Sequence, residues 1–233
     1  MIRTYHSQDT RALLAAWNQS LPADSITDDI FLRHIATDAN FDPHGLFIAE
    51  DHGRIIGALL AIVRRMPLSG TDLEPDTGWI TTFFVHPTSR HRGIGQALLR
   101  AADDFFIRRH RTTIFFASYA PGYFLPGIDR RTYPAGANLL ESAGFSMQYE
   151  AVAMDKNLVG WIVPGDVRAI EERHRQNGML IEALTLPYVS ALLSFIDSEF
   201  NPDWSRAVRS ALQHGLPLSR ILIARSQDAL AGF

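Results

Sequence analysis

The order of apolar and polar residues divides the chain into short elements that alternate between helical and strand patterns. Near the N-terminus, the helical spacing of apolar side chains predicts one helix capped by Ser7 or Asp9 and a second that begins near Ser25 or Thr27. Runs of β-forming residues bounded by turns predict strands at 2–5, 46–49, 55–63, 79–85, 113–117 and 145–154. Two more helices are predicted over 95–109 and 135–143, and Gly144 is expected to end the second in a left-handed cap.

This order of elements predicts the mixed α/β (α+β) fold class, with one mixed-sheet domain over residues 1–158. We expect the strand at 113–117 to be buried and the strand at 145–154 to close the sheet. Residues 145–154 number only ten, and we expect residues 220–233 to cover the edge of the sheet that they leave exposed, from this chain or a neighbouring one.

A different pattern follows the first domain. Residues 159–178 are predicted to form a linker helix, and residues 179–233 a partial repeat of the first domain. The repeat is predicted from two short matches at a constant offset, 46–49 with 221–224 and 55–57 with 230–232.

Composition narrows the range of functions. With 233 residues, 46% of them hydrophobic, and a net charge of −3, the chain gives no electrostatic reason to expect nucleic acid or a membrane surface as partner. The absence of cysteine excludes thiol nucleophiles and cysteine metal sites, and the nine histidines show no repeated ligand spacing, so no metal is expected. No signal-peptide run and no membrane-spanning apolar stretch are seen, which favours a cytoplasmic location.

One loop carries the pattern of an anion site. It joins the end of a strand to a helix that starts on glycines. A helix N-terminus offers unpaired N–H groups and the positive end of the helix dipole. Gly93 and Gly95 lack the Cβ atoms that would hold a phosphate away, and Arg90 and Arg92 add positive charge. The pattern predicts a diphosphate site; a tight turn that needs glycine only for its geometry is the competing explanation.

Comparison of the loop with known phosphate-binding motifs indicates which diphosphate ligand it would bind. Leu98 stands where a dinucleotide fingerprint needs a third glycine, and the Gly-Lys-Ser/Thr ending of a P-loop is absent. The remaining pattern, Arg-x-x-Gly-x-Gly-x-Ala after a strand that ends Val-x-Pro, resembles the acetyl-CoA loop of the GNAT acyltransferase superfamily. The element order and the Ala-Gly-Phe junction at 143–145 match as well, and Phe-Asn-Pro-Asp-Trp at 200–204 is similar to members with two domains.

The resemblance implies an N-acetyltransferase that moves an acetyl group from acetyl-CoA directly to a primary amine. The pantetheine arm would lie like an added strand beside 79–85, and the loop amides would hold the diphosphate. A small-molecule amine is favoured over a protein as acceptor, its identity stays open, and a homodimer is compatible with the pattern. The implied cofactor-binding residues are Phe83, Phe84, Val85, Arg90, His91, Arg92, Gly93, Ile94, Gly95, Gln96 and Ala97.

The catalytic side chains are harder to place. Many relatives carry a Glu or His base on the strand before the loop. Strict alternation here groups Trp79, Thr81, Phe83 and Val85 on one face and Ile80, Thr82 and Phe84 on the other, and none is a good base. Leu140 stands where many relatives have a tyrosine acid, so Tyr133, at the usual place of a cofactor-contacting asparagine, is the predicted acid. Other candidates by position, for which a solvated or packing role is favoured, are Glu74, Asp76, Tyr119, Tyr123 and Asp129.

Two functions of other classes stay open. The missing strand carboxylate and junction tyrosine favour a non-catalytic acyl-CoA-binding or regulatory module. The partial repeat is also compatible with a purely structural role such as dimerisation.

Overall fold

A five-stranded sheet organises the first part of the chain. The computed structural model describes residues 1–68, 72–120, 126–152, 154–227 and 229–233. The chain divides into two units, Met1–Ala151 and Val152–Phe233. The strands of the first unit are β1 (Ile2–Thr4), β2 (Leu46–Asp51), β3 (Arg54–Ile62), β4 (Thr77–Val85) and β5 (Thr113–Phe116). They lie side by side in this order, antiparallel except for the parallel β4–β5 pair, so the predicted mixed sheet is confirmed.

Helices pack on both faces of this sheet. They are α1 (Thr10–Ser20), α2 (Asp28–Phe31), which continues as a π-helical turn over Leu32–Ala36, α3 (Ile94–Ile107) and α4 (Pro134–Ser142). Leu13 and Trp17 of α1 are buried in a cluster on one face, together with side chains of α2. Leu98 and Phe105 of α3 are buried in a second cluster on the other face. The amphipathic patterns of the sequence therefore predicted which side of each helix meets the sheet.

Two predicted helix boundaries are confirmed by their caps. The Thr27 side-chain oxygen accepts a hydrogen bond from the Ile30 N–H at 3.2 Å and so caps α2. Gly144, after the end of α4, has a φ of 92°, the left-handed conformation that glycine adopts without strain.

The strand β4 contains a β-bulge. Leu60 of β3 pairs with Thr82, but the next residue, Ala61, pairs with Ile80. Thr81 is therefore an extra residue on β4 with no partner of its own across the ladder. An inserted residue of this kind reverses the alternation of side chains beyond it.

The bulge overturns the predicted faces of β4. Trp79 and Phe84 lie together in the α1 cluster, whereas Phe83 and Val85 pack against the α3 cluster. The predicted grouping of Trp79 with Phe83 and Val85 is wrong, because strict alternation takes no account of the extra Thr81.

Two further strand predictions need correction. The strand β5 is not buried, because it lies at the edge of the sheet, and Phe115 is 38% exposed. The described residues of 145–154 form no strand. The Phe145 N–H donates to the Leu140 carbonyl at 3.0 Å and so completes the end of α4, and Met147 and Tyr149 are exposed. Apolar alternation in this segment supplies side chains for a strand but no neighbouring strand to pair with.

The second unit has its own small sheet and core. Its elements are α5 (Gly165–Gln176), β6 (Met179–Ala183), α6 (Val189–Glu199), α7 (Pro202–Gln213), β7 (Leu222–Ser226) and β8 (Ala229–Gly232). The strands form an antiparallel sheet in the order β6-β7-β8. Leu192 and Ile196 of α6 are buried against Ile223 of β7. The predicted domain bounds of 1–158, 159–178 and 179–233 stay a prediction.

Candidate active site

The site forms where β4 loses its neighbour. The strand β5 pairs with β4 only as far as Ile80, opposite Phe116. Beyond Phe116, Ala117 and Ser118 have left-handed φ angles of 58° and 51°, which turn the chain away from β4. Among the described residues, no strand pairs with the outer edge of β4 after Ile80. The end of β4 therefore presents an open edge of main-chain hydrogen-bonding groups.

The hydrogen-bond pattern shows which groups face this open edge. The His86 N–H donates to the carbonyl of Ile56 in the neighbouring strand β3 at 2.8 Å. Because the pairing groups of an antiparallel strand alternate, Phe84 directs its N–H and C=O toward β3. Phe83 and Val85 then direct theirs toward the open edge. The predicted pairing of these two residues with a pantetheine arm stays a prediction, and the main chain of Phe84 lies on the other side of the strand.

The helix α3 begins beside this edge with a bare N-terminus. Gly93 precedes its first turn with a φ of 75°, and no described side chain caps the helix there. The N–H groups of the first turn, from Ile94 to Gln96, have no acceptor inside the helix. His91 also has a positive φ, of 59°, so the turn before the helix is strained for a residue with a side chain. A concave turn followed by free helix N–H groups is an anion-binding arrangement.

Gly95 has a different reason to be glycine. A Cβ at this position would lie 2.5 Å from Leu139 Cδ2 of α4. The residue therefore lets α3 and α4 approach each other. The sequence predicted the same role for both glycines, that of admitting a phosphate, whereas the structure gives Gly95 a packing role.

The basic side chains of the loop are not equivalent. Arg90 donates from Nε to the Val85 carbonyl at 3.1 Å and from Nη2 to the Ser20 carbonyl at 3.3 Å, so its guanidinium is held in place without losing its charge. Arg92 instead lies 3.3 Å from a carboxylate oxygen of Asp51, an exposed pair. The charge that remains available to an anion beside α3 is mainly that of Arg90.

One cavity of about 630 Å³ joins these features. Such a volume lies within the usual range for ligand sites. The predicted cofactor-binding residues that line it are Phe83, Phe84, Val85, Arg90, His91, Gly93, Ile94, Gly95 and Gln96. Arg92 and Ala97 do not, and the Ala97 N–H is already used inside α3, where it donates to the Gly93 carbonyl at 3.0 Å.

Tyr133, the predicted acid, also lines this cavity. Its hydroxyl oxygen is buried and makes no hydrogen bond of regular geometry with any described residue. Burial first, and then the nearby carboxylate of Asp24, raise the pKa of the Tyr133 phenol to about 12. The phenol therefore keeps its proton at neutral pH, as a proton donor must.

The other candidate acids and bases lie in unsuitable places. Tyr119 is 1% exposed, and burial with the nearby Asp38 carboxylate raises the pKa of its phenol, so it is a core residue. Glu74 forms an ion pair with Arg64, and neither Glu74 nor Asp76 lines the cavity. Tyr123 lies outside the described residues.

Asp129 lines the cavity but is engaged in its own turn. Its carboxylate accepts hydrogen bonds from the Thr132 hydroxyl at 2.6 Å and the Arg131 N–H at 2.8 Å. The first of these, with help from the second, holds the pKa of the Asp129 carboxyl below its usual range. The structure thus gives Asp129 a local structural role.

Sequence reasoning missed several residues that line the cavity. Asp24 comes from the turn after α1, Thr82 from β4 beside the bulge, and Asn138 and Leu139 from α4. Asp24 belongs to no motif, and its place depends on how α1 packs on the sheet. Thr82 was predicted to face away from Phe83, which is correct, but its position at the cavity follows from the open edge.

Membrane-spanning helices and metal-binding clusters are not found in the part of the chain that the structure describes. No helix there is long and apolar enough to cross a membrane. Nor do three or more His, Cys, Asp or Glu side chains gather there in a way that would hold a metal ion. The expectation of a metal-free site stays a prediction.

The mixed sheet, open beside the glycine-started helix, is the fold of the GNAT acyltransferases. The acetyltransferase (GNAT) family model matches residues 8–121 of this chain. The fold is therefore of the GNAT type, and the family model covers slightly less than half of this chain.

Solved structures share this fold at low sequence identity. A glucosamine N-acetyltransferase region in a fungal multi-domain GH3 β-N-acetylglucosaminidase has a TM-score of 0.71 at 20% identity, and the match covers 98% of this chain and 26% of that one. This chain therefore spans about a quarter of that protein's length. The aminoglycoside 6′-N-acetyltransferase AAC(6′)-IG from Acinetobacter haemolyticus has a TM-score of 0.46 at 17% identity, over 68% of this chain and 99% of that one. AAC(6′)-Iy, in complex with the bisubstrate analog CoA-S-monomethyl-acetylneamine, has a TM-score of 0.46 at 19% identity, over 67% and 97%. A search of curated proteins finds no match to this sequence.

Proposed function

We propose that this chain is an N-acetyltransferase that moves the acetyl group of acetyl-CoA directly to a primary amine. The observation that carries the proposal is the joining of two binding elements in one cavity: the open edge of β4 and the bare N-terminus of α3. The first suits an amide-bearing chain such as pantetheine, and the second suits a diphosphate. CoA carries both groups in sequence.

Different residues of this chain would bind the two parts of CoA. The main chain of Phe83 and Val85 would pair with the pantetheine arm, as a strand does with its neighbour. The N–H groups from Ile94 to Gln96 and the guanidinium of Arg90 would hold the diphosphate. Acetyl-CoA supplies the acyl thioester.

Proton transfer is assigned to Tyr133. The neutral phenol stands beside the cavity with its proton in place, and a thiolate leaving group needs a proton donor. We expect Tyr133→Phe to lower kcat by at least about tenfold, with the KM for acetyl-CoA within about twofold of wild type. Because only a hydroxyl group is removed, the free energy of unfolding of the variant should fall by no more than about 1.5 kcal/mol. An unchanged kcat would remove Tyr133 from the mechanism.

A thiol assay tests the activity directly. The chain has no cysteine, so a thiol reagent added to protein and acetyl-CoA reports only free CoA. We expect CoA release that depends on an added primary amine, together with an acetylated product detected by mass spectrometry. If CoA binds in calorimetry but no amine of a broad panel releases thiol, the non-catalytic acyl-CoA-binding module is favoured instead. That alternative has its own support, because β4 carries no acid or base in the cavity and the buried Leu140 replaces the usual tyrosine.

We further infer that the second unit is a partial GNAT-like repeat. Its order β6-α6-α7-β7-β8 parallels β1-α1-α2-β2-β3, and adjacent strands are antiparallel in both groups. The coverage of 98% of this chain by one related fold also supports this inference. A role in homodimer formation stays a prediction, to be tested by the molar mass in solution with and without residues 160–233.

A further inference from the structure

The cavity contains a group of polar side chains, and two of them, Asp24 and Thr82, have no role in the proposed contacts with acetyl-CoA. Asp24 comes from the turn after α1, and its carbonyl accepts a hydrogen bond from the Trp17 indole N–H at 2.9 Å. Thr82 lies on β4, on the same face as Phe84 and therefore on the α1 side of the sheet. Tyr133 reaches the same region from the start of α4, close enough to Asp24 for the carboxylate to influence its phenol.

One of these groups, the Thr82 hydroxyl, is buried without a partner among the described residues. Thr82 is 3% exposed, and its hydroxyl oxygen makes no hydrogen bond with any described residue. The Tyr133 hydroxyl oxygen is also buried, and its nearest polar groups are the Asp24 carboxylate and the main chain of Ala23 and Asp24. Native structures rarely leave buried hydroxyl groups unsatisfied, because the loss of water is then uncompensated. The unpartnered Thr82 hydroxyl in the wall of the cavity, near Asp24 and Tyr133, indicates that a polar ligand completes its hydrogen bonding.

The character of this group indicates a cationic ligand. A protonated primary amine has three N–H donors and one positive charge. The carboxylate of Asp24 and the hydroxyl oxygens of Thr82 and Tyr133 provide three acceptors, one of them charged. Asp129, which also lines the cavity, has both carboxylate oxygens occupied by its own turn. Arg90 is held by two backbone carbonyls at the start of the loop and does not pair with Asp24 in the structure.

We propose that Asp24, Thr82 and Tyr133 form the acceptor subsite and that Asp24 selects acceptors bearing a protonated primary amine. This proposal rests on the proposed function for the assignment of the rest of the cavity to acetyl-CoA. Asp24 is a specificity-determining residue in it: the carboxylate binds the ammonium group and places the nitrogen beside the open edge of β4. The bound ammonium then loses one proton to water, and the neutral amine attacks the acetyl carbonyl as the CoA thiolate leaves. Neutral acceptors of the same shape lack this interaction and bind weakly.

The test compares binding of paired probes to the full chain saturated with CoA. Calorimetric titration measures the affinity of the protein for hexylamine and benzylamine, which are cations at neutral pH. The same measurement is made with hexan-1-ol and benzyl alcohol, which are neutral. We expect wild type to prefer each amine to its alcohol, and Asp24→Asn to lose about tenfold or more in amine affinity while alcohol affinity stays the same. CoA affinity should stay within about twofold in the variant.

Two further variants complete the design. Asp104→Asn removes a carboxylate from an exposed position of α3 outside the cavity and should leave all affinities unchanged. Thr82→Val keeps the side-chain shape and removes one acceptor, so it should weaken amine binding without changing alcohol binding. Thr82→Val leaves Asp24 in place, so it still tests the amine subsite if the Asp24→Asn variant does not fold.

The inference is overturned if wild type binds amines no better than alcohols, or if Asp24→Asn and Thr82→Val keep the wild-type amine affinity. Failure of the proposed function looks different: CoA then does not bind, or no amine is acetylated. In that case the same titrations without CoA still decide whether Asp24 selects cationic amines.

Discussion

Gly93 and Gly95 stand two residues apart in the loop, and each is required for a different physical reason. Gly93 adopts a φ of 75°, which costs a residue with a Cβ roughly 1 kcal/mol or more. Gly95 has ordinary helical surroundings but lies against Leu139. The first glycine shapes the anion site, and the second lets α4 close over it.

The role of Gly95 predicts a specific double-variant result. Gly95→Ala should destabilise the fold by about 1 kcal/mol and weaken CoA binding, because the new methyl group pushes Leu139 away. In the background of Leu139→Ala the methyl group has room, so adding Gly95→Ala should cost neither stability nor CoA affinity. Urea unfolding and calorimetric titration of all four proteins measure both quantities. If CoA binding stays weaker in the double variant than in Leu139→Ala alone, Gly95 is needed for phosphate access after all.

At the residue scale, the sequence predicted those site residues that form one local motif. The loop from Arg90 to Gln96 could be found because a turn and the helix it starts are continuous in the chain. Asp24 and Thr82 could not be found, because they meet only when α1 packs on the sheet and β5 leaves β4. Tyr133 was found through the resemblance to a family, not through a chemical signal of its own.

Helix α1 fixes one side of the site, and its position depends on an ion pair with β1. Asp9, just before α1, accepts two hydrogen bonds from the Arg3 guanidinium, at 2.7 Å and 2.9 Å, and one from the His6 N–H at 2.8 Å. Both charged side chains are mostly buried, so solvent screens the pair less than at an exposed site. The hydrogen bonds from Arg3, followed by that from His6, hold the pKa of Asp9 below its usual range.

This lowered pKa predicts a pH-dependent contribution to stability. Asp9 stabilises the fold above the pKa that its carboxyl has in the unfolded chain, and that contribution is lost as pH falls through the folded-state value. Asp9→Asn should therefore lower the free energy of unfolding by about 1 kcal/mol near neutral pH and by almost nothing near pH 2. Urea unfolding at both pH values measures the difference, with Asp104→Asn as the exposed control. A loss of equal size at both pH values would show that charge pairing is not its cause.

At the element scale, the periodicity of apolar residues was sufficient to predict most helices and strands. The predictions that were wrong have a common cause. The bulge at Thr81 and the missing strand at 145–154 both depend on the neighbouring strand. Side-chain alternation describes one strand, whereas register and pairing are properties of two. The exposed edge strand β5 was expected to be buried for the same reason.

At the scale of the whole molecule, the residues that line the cavity all belong to the first unit, Met1–Ala151. A fragment of residues 1–158 should therefore bind CoA within about threefold of the full chain, which is less than 1 kcal/mol in free energy. Calorimetry gives the affinity, and light scattering of both proteins tests the predicted homodimer. A fragment that is folded by circular dichroism but no longer binds CoA would show that the second unit completes the site.

The central claim is that α3 binds the CoA diphosphate through its N-terminus, and Gln96 allows it to be tested without strain. This residue lies in the first turn of α3, is exposed and lines the cavity. A negative charge there favours the helix by about 0.3–1 kcal/mol but repels a diphosphate. The decisive measurement is calorimetric titration of CoA into Gln96→Glu, with Gln8→Glu, the same change outside the cavity, as control. We predict that Gln96→Glu is at least as stable as wild type yet binds CoA about tenfold or more weakly, while Gln8→Glu binds CoA normally. An unchanged CoA affinity in Gln96→Glu would rule out diphosphate binding at the N-terminus of α3.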